Sequence, residues 1–216
     1  MKTGVLISGK GTNLQALLDA AADEAYPAEI VSVIANKAGA PGLEKARKAG
    51  VKAQFLDHTL FEEREDFERK LDETLRADGV EFVALAGFMR ILTPWFVGKW
   101  KDRLINIHPS LLPAFKGVHT HERALETGVR VHGATVHYVR PEMDEGPIIG
   151  QAAVPVLSGD TKETLADRVL EAEHKLYPAC LKLIAENKAR VTGGLVKMDK
   201  ESAPDETLIL SNPAFR

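Results

Sequence analysis

Through its first half this chain keeps one rhythm: short apolar runs alternate with longer stretches of helical spacing. Val5-Leu6-Ile7 precedes a helix expected over residues 12–23. A strand is read over 29–35, a helix over 41–49 closed by Gly50, and a short strand over 53–56. An amphipathic helix over 60–76, a buried strand over 82–86, a short helix over 94–100 and a strand over 104–108 complete the series. Strand and helix in alternation require parallel pairing with crossover helices, so the expected fold is α/β: a single Rossmann-like domain, its central sheet mostly parallel with helices on both faces. After Asn106 the rhythm changes. Strands over 133–139 and 148–156 have no helix between them, which implies an antiparallel part toward the C-terminus. A long helix over 161–188 follows, with Asp160 and Glu163 spaced to cap its start and Pro178 expected to kink it.

The 216 residues set the scale at one domain, expected over 1–190, with a polar tail over 191–216. Net charge is −3 and no long basic run appears, so the footprint of a nucleic-acid binder is missing. The longest run without Asp, Glu, Lys or Arg, 146–159, is 14 residues with three Gly and two Pro, unsuited to spanning a membrane. One cysteine, Cys180, excludes an internal disulfide. The N-terminus lacks the pattern of a signal peptide, and the expected location is cytoplasmic.

Between the first strand and first helix lies Ser8-Gly9-Lys10-Gly11-Thr12-Asn13-Leu14. Glycines at that point let backbone N–H groups approach a phosphate, and the helix dipole favours an anion there. A tight turn with a Thr or Asn cap explains the same residues. A side chain at Gly11 is expected to intrude on the phosphate and to meet a disfavoured φ. A dinucleotide is disfavoured: Leu14 stands where a third glycine belongs, and Asn36-Lys37 replaces the acid that would hold a ribose diol.

Asn106 and His108 are two apart on a strand ended by Pro109, so their side chains leave the same face at its carboxyl end. Ligands of open α/β sheets bind at that edge. An amide donor beside an imidazole suits a developing oxyanion and a moving proton. Glu142, Asp144 and Glu145 lie in a Gly/Pro loop that, taken alone, reads as a solvated acidic turn.

Four strings in order, Val5 to Leu14, Leu85-Ala86-Gly87-Phe88-Met89-Arg90-Ile91-Leu92, Asn106-Ile107-His108-Pro109-Ser110-Leu111-Leu112-Pro113 and Met143-Asp144-Glu145-Gly146-Pro147, resemble the folate-dependent formyltransferases. The likeness covers about residues 1–190 and is strongest to the branch whose acceptor is glycinamide ribonucleotide, in purine biosynthesis. It implies formyl transfer from 10-formyltetrahydrofolate, a co-substrate, with no tightly bound cofactor and no metal. It implies Asn106, His108 and Asp144 as the catalytic trio. Gly11, Thr12, Asn13 and Glu173 would bind the ribonucleotide. Arg64, Met89, Arg90, Ile91, Leu92 and Asn106 would line the folate site. Partners are expected to be these small molecules, with neither nucleic acid nor membrane, in a monomer or homodimer. Pro141 stands where the family's loop often carries an acid, and Glu145 where a small residue is common.

Two helix faces bear on this independently. Arg64 falls on the stripe Leu60, Phe67, Leu71 and Leu75, where it either snorkels or meets an anionic ligand. Glu173 falls on the stripe Val169, Leu176, Cys180 and Leu183, where a buried carboxylate needs a partner, substrate or structural. Gly87 is expected to permit close backbone approach. His119, His121, His132 and His137 complete no metal-ligand spacing. A formyltetrahydrofolate deformylase would carry a preceding regulatory domain and a methionyl-tRNA formyltransferase a following one, and neither is expected here. A non-catalytic phosphoribosyl-ligand sensor would keep the glycine loop alone.

Overall fold

The computed structural model describes residues 1–199, which fall into two compact units: residues 1–106 with 138–142, and residues 107–137 with the described chain from 143 onward. The first unit is built as its rhythm requires. In order come β1 (Lys2–Ile7), α1 (Thr12–Ala21), β2 (Glu29–Ala35), α2 (Pro41–Lys48), β3 (Lys52–Phe55), α3 (Arg64–Ala77), β4 (Phe82–Leu85), α4 (Pro94–Lys99) and β5 (Leu104–His108). β1 pairs in parallel with β2 and β4, β2 with β3, and β4 with β5. Val5, Leu6, Ile7, Val33, Ile34, Val83 and Ala84 are almost fully buried, the unbroken apolar runs of strands with both faces covered. Phe67, Leu71 and Leu75 of α3 pack with Phe96, Val97 and Trp100 in the same core.

The second unit holds α5 (Thr120–Thr127), β6 (Val131–Tyr138), β7 (Ile148–Pro155), α6 (Lys162–Ala185) and the hairpin of β8 (Ala189–Thr192) and β9 (Leu195–Met198). β6 and β7 are antiparallel, as expected. Seven strands form one mostly parallel sheet, ordered β3-β2-β1-β4-β5-β6-β7, with helices around it. The chain runs from β1 outward to β3, then returns to place β4 on the other side of β1. The loops after β1 and β4 therefore flank the topological switch point, where such sheets bind ligands.

Three expectations need correction. The third helix begins at Arg64, not at residue 60: His58–Leu60 is a separate 3-10 turn capped by Asp57, and Leu60 is 79% exposed. Residues 120–127, read as no element, form α5, closed by Gly128 in the left-handed region. The start of α6 is capped by Thr161 with Thr164, while Asp160 accepts from the Leu157 amide and takes Arg168 at 2.7 and 2.8 Å. Pro178 lies within α6 without ending it. The hairpin carries the described chain past residue 190 into the expected tail, and residues 200–216 of that tail lie outside the described residues.

Candidate active site

Gly11 precedes α1 with φ +64° and ψ +48°, the left-handed region that glycine enters without strain. A Cβ there would stand 2.8 Å from the Cα of Gly42, in α2. Lys45 of α2 donates to the Gly11 carbonyl at 3.1 Å, and the Gly42 amide donates to the Gly9 carbonyl at 3.2 Å. The glycine at 11 is thus required by backbone and packing, whatever ligand binds nearby. Gly9 has no neighbour within 4 Å of its Cβ position and faces open space. Thr12 and Asn13 open the helix half-buried, and no side chain caps it. The Gln15 amide donates to the Gly11 carbonyl at 3.1 Å. Asn36, at the end of β2, is buried and accepts from the Ser8 hydroxyl at 2.6 Å, and Leu14 is fully buried. Neither position is arranged as in a dinucleotide site.

The loop after β4 is tied to the same strand end. Ser8 N–H donates to the Gly87 carbonyl at 3.1 Å, and the Met89 amide donates to the Ser8 hydroxyl at 2.8 Å. Gly87 has φ +73°, a left-handed turn conformation that suits glycine, and open space at its Cβ position. Beyond it the side chains alternate. Phe88 and Leu92 are buried, Met89 and Ile91 are 64% and 61% exposed, and Arg90 lies over the Phe67 ring at 5.3 Å. Arg64 donates to the Ile91 carbonyl at 3.3 Å. It is exposed and opens α3, off the buried stripe where Leu60 seemed to place it. The buried charge of α3 is Glu68, a residue the sequence reading missed. Asn106 is half-buried on β5, paired with Leu85 of β4.

In the second unit the end of β5 is fixed by Thr135 of β6. Its hydroxyl donates to the Ser110 carbonyl at 2.7 Å and accepts from the Leu112 amide at 3.0 Å. His108 is thereby held 95% buried between two acceptors. Its Nε2 lies 3.0 Å from the Phe115 carbonyl, and its Nδ1 lies 3.5 Å from Oδ2 of Asp144, an ion-pair distance. Asp144 sits at φ +58°, a conformation Asp tolerates better than most residues. The same Oδ2 accepts from the Gly117 amide at 2.8 Å. The other oxygen faces Nε2 of His137 at 3.8 Å. The acidic loop is therefore no solvated turn at Asp144. Glu145 does face solvent, paired with Lys116 at 2.7 Å. His137 is the functional candidate that sequence reasoning passed over, and the available signal was its two-residue spacing from Thr135 on one face of β6.

Behind His108 lie two more histidines. His121 and His132 meet edge to face with centroids 5.3 Å apart, and Phe115 meets His132 at 5.7 Å. Burial, then the positive charges of His121 and His108, push the His132 imidazole down to about 4. Glu173 is buried on α6 with Val169, Tyr177 and Cys180. Among the described residues, no group of three His, Cys, Asp or Glu side chains is placed to hold a metal ion, and no helix is long and apolar enough to cross a membrane.

A family model described as formyl transferase matches residues 1–181. The chain belongs to the formyl transferase family. A formyl transferase relative, the phosphoribosylglycinamide formyltransferase of Escherichia coli, is 42% identical over 95% of this chain and 97% of its own length. A trifunctional purine biosynthetic protein from Gallus gallus is 51% identical over 88% of this chain, which spans only 19% of that protein. Among solved structures, glycinamide ribonucleotide transformylase 1 from Symbiobacterium toebii superposes with a TM-score of 0.89 at 48% identity, over 92% of this chain and 93% of its own. The α/β fold with its mostly parallel sheet is that of these formyl transferases.

Proposed function

We propose that the chain is a phosphoribosylglycinamide formyltransferase of purine biosynthesis, a single catalytic domain over residues 1–190. It moves the formyl group of 10-formyltetrahydrofolate to the primary amine of glycinamide ribonucleotide. The observation that carries this reading is the setting of His108, buried between a carbonyl and a carboxylate, two residues beyond Asn106 on one strand. Relatives of matching length that bear the transferase name support it.

The amine attacks the formyl carbon, and the new C–N bond creates a tetrahedral oxyanion. Asn106 donates to that oxygen, and so does the His108 imidazolium, whose Nε2–H exchanges the Phe115 carbonyl for the oxyanion while Nδ1–H stays on Asp144. Asp144 holds the imidazolium and orients the path by which the amine's proton reaches the leaving nitrogen of the folate. The C–N bond to the folate then breaks. Gly11, Thr12 and Asn13 hold the ribonucleotide phosphate on the open end of α1, with Glu173 on the nucleotide. Met89, Arg90, Ile91 and Leu92 read the folate ring, and Arg64 meets its carboxylates. Folate is consumed as a co-substrate, and no tightly bound cofactor takes part. The enzyme works in the cytoplasm as a monomer or homodimer.

Absorbance at the folate band, followed with and without glycinamide ribonucleotide, tests this. Turnover that requires the amine is the expected result. Turnover without it would identify a deformylase, and none at all would fit a ligand sensor.

A further inference from the structure

The first unit holds one buried carboxylate on α3 that the mechanism above does not use. Glu68 is 1% exposed, and both its oxygens are spent on a single residue. Oε1 accepts from the Thr93 amide at 2.9 Å, and Oε2 accepts from the Thr93 hydroxyl. That hydroxyl also caps α4, taking the Phe96 amide at 3.4 Å. Thr93 is the downstream end of the segment Met89, Arg90, Ile91 and Leu92. The segment's upstream end is fixed at Ser8 and its middle by Arg64 on Ile91. Between the anchors its outward side chains, Met89 and Ile91, are left exposed.

A buried carboxylate is costly unless paired and hydrogen-bonded. Burial pushes Glu68 up from the usual carboxylate range, and the Thr93 hydrogen bonds and the charges of Arg64 and Arg90 oppose that rise. The two arginines repel each other: burial first, then the Arg64 charge, lowers Arg90, while Glu68 raises it. Glu68 is thus the anchor of the segment's downstream end, and its charge opposes the mutual repulsion of the two guanidiniums.

Resting on the function proposed above, we infer that Glu68 is a positioning residue for the folate subsite: it touches no substrate, yet sets the geometry of residues 89–92 and the placement of Arg64 and Arg90. A neutral amide at this position keeps one acceptor for the Thr93 N–H, leaves the Thr93 hydroxyl proton without a carboxylate, and removes the counter-charge.

The test uses Glu68→Gln and the nearly isosteric Thr93→Val in the full chain. The readouts are steady-state kinetics and calorimetric binding of an unreactive 10-formyl folate analogue. Each variant should raise the folate KM and the analogue Kd by roughly tenfold, the worth of one charge-assisted hydrogen bond. The KM for glycinamide ribonucleotide and kcat should stay within about twofold, since its phosphate and the trio lie elsewhere. The double variant should cost less than the product of the two, because both break one contact. Variants that keep the wild-type folate KM and Kd while losing only thermal stability would overturn the inference, and so would equal losses for both substrates. Should Glu68→Gln fail to fold, Thr93→Val carries the same test. A wild-type protein that turns over no formylfolate would refute the function and not this anchoring. The calorimetric comparison would still decide the latter.

Discussion

Gly11→Ala separates what the glycine loop does for the fold from what it does for a ligand. The wild-type φ of +64° costs an L-residue about 1–2 kcal/mol. The added Cβ would also stand 2.8 Å from the Cα of Gly42, a backbone atom held by its own hydrogen bond to Gly9. Relieving that clash costs roughly 1–3 kcal/mol, the usual range for overpacking a tight contact. The sum, about 2–5 kcal/mol, is a large share of the ~5–15 kcal/mol that holds a domain together. Urea unfolding should therefore give a midpoint well below wild type, and Tm should fall by roughly 5–15 °C for a chain of this size. Gly9→Ala is the control. Its Cβ meets nothing within 4 Å, so stability should stay within about 1 kcal/mol of wild type. If the loop also cradles a phosphate, Gly9→Ala should weaken glycinamide ribonucleotide and leave folate-analogue binding intact. A Gly11→Ala protein as stable as wild type would refute the argument from helix-start geometry.

His108→Ala and Asp144→Asn should each lower turnover by about 10²–10⁴-fold, with glycinamide ribonucleotide binding by calorimetry nearly unchanged. His137→Ala should lower kcat by roughly 10–100-fold, the worth of an interaction with a charged group, since it removes the second imidazole facing Asp144. Stability should fall on acidification through His132. The unfolded imidazole takes up a proton below about 6.5 and the folded ring only below about 4, so between those values the unfolded state holds the extra proton and gains. Charging that buried group costs the fold on the order of 3 kcal/mol, incurred as pH falls from about 6.5 to about 4. Denaturant titrations across that range should show a flatter slope for His132→Gln.

The order of strands and helices was legible because parallel strands covered on both faces read as unbroken apolar runs, and Val5-Leu6-Ile7 and Phe82-Val83-Ala84-Leu85 are such runs. The helix start at Arg64 was not, because Leu60 keeps helical spacing with Phe67 although its own turn belongs to Asp57. Asn106 and His108 could be paired from strand alternation alone. Asp144 could not: its carboxylate reaches His108 through a left-handed backbone and the amide of Gly117, neither of which has a local signature. Resemblance to a family supplied that residue. Glu68 was hidden by its neighbours, since a glutamate beside Phe67 in a helix rich in Glu, Asp, Arg and Lys reads as solvated surface until α4 is packed over it.

In the proposed reaction the formyl carbon passes from folate nitrogen to substrate amine. This transfer is tested most directly by supplying 10-formyltetrahydrofolate labelled with ¹³C in the formyl group and following the label by NMR and mass spectrometry. Label is expected in an N-formyl group on glycinamide ribonucleotide, formed in step with the loss of formylfolate. Label recovered as free formate at the same rate with or without the amine would contradict the transfer.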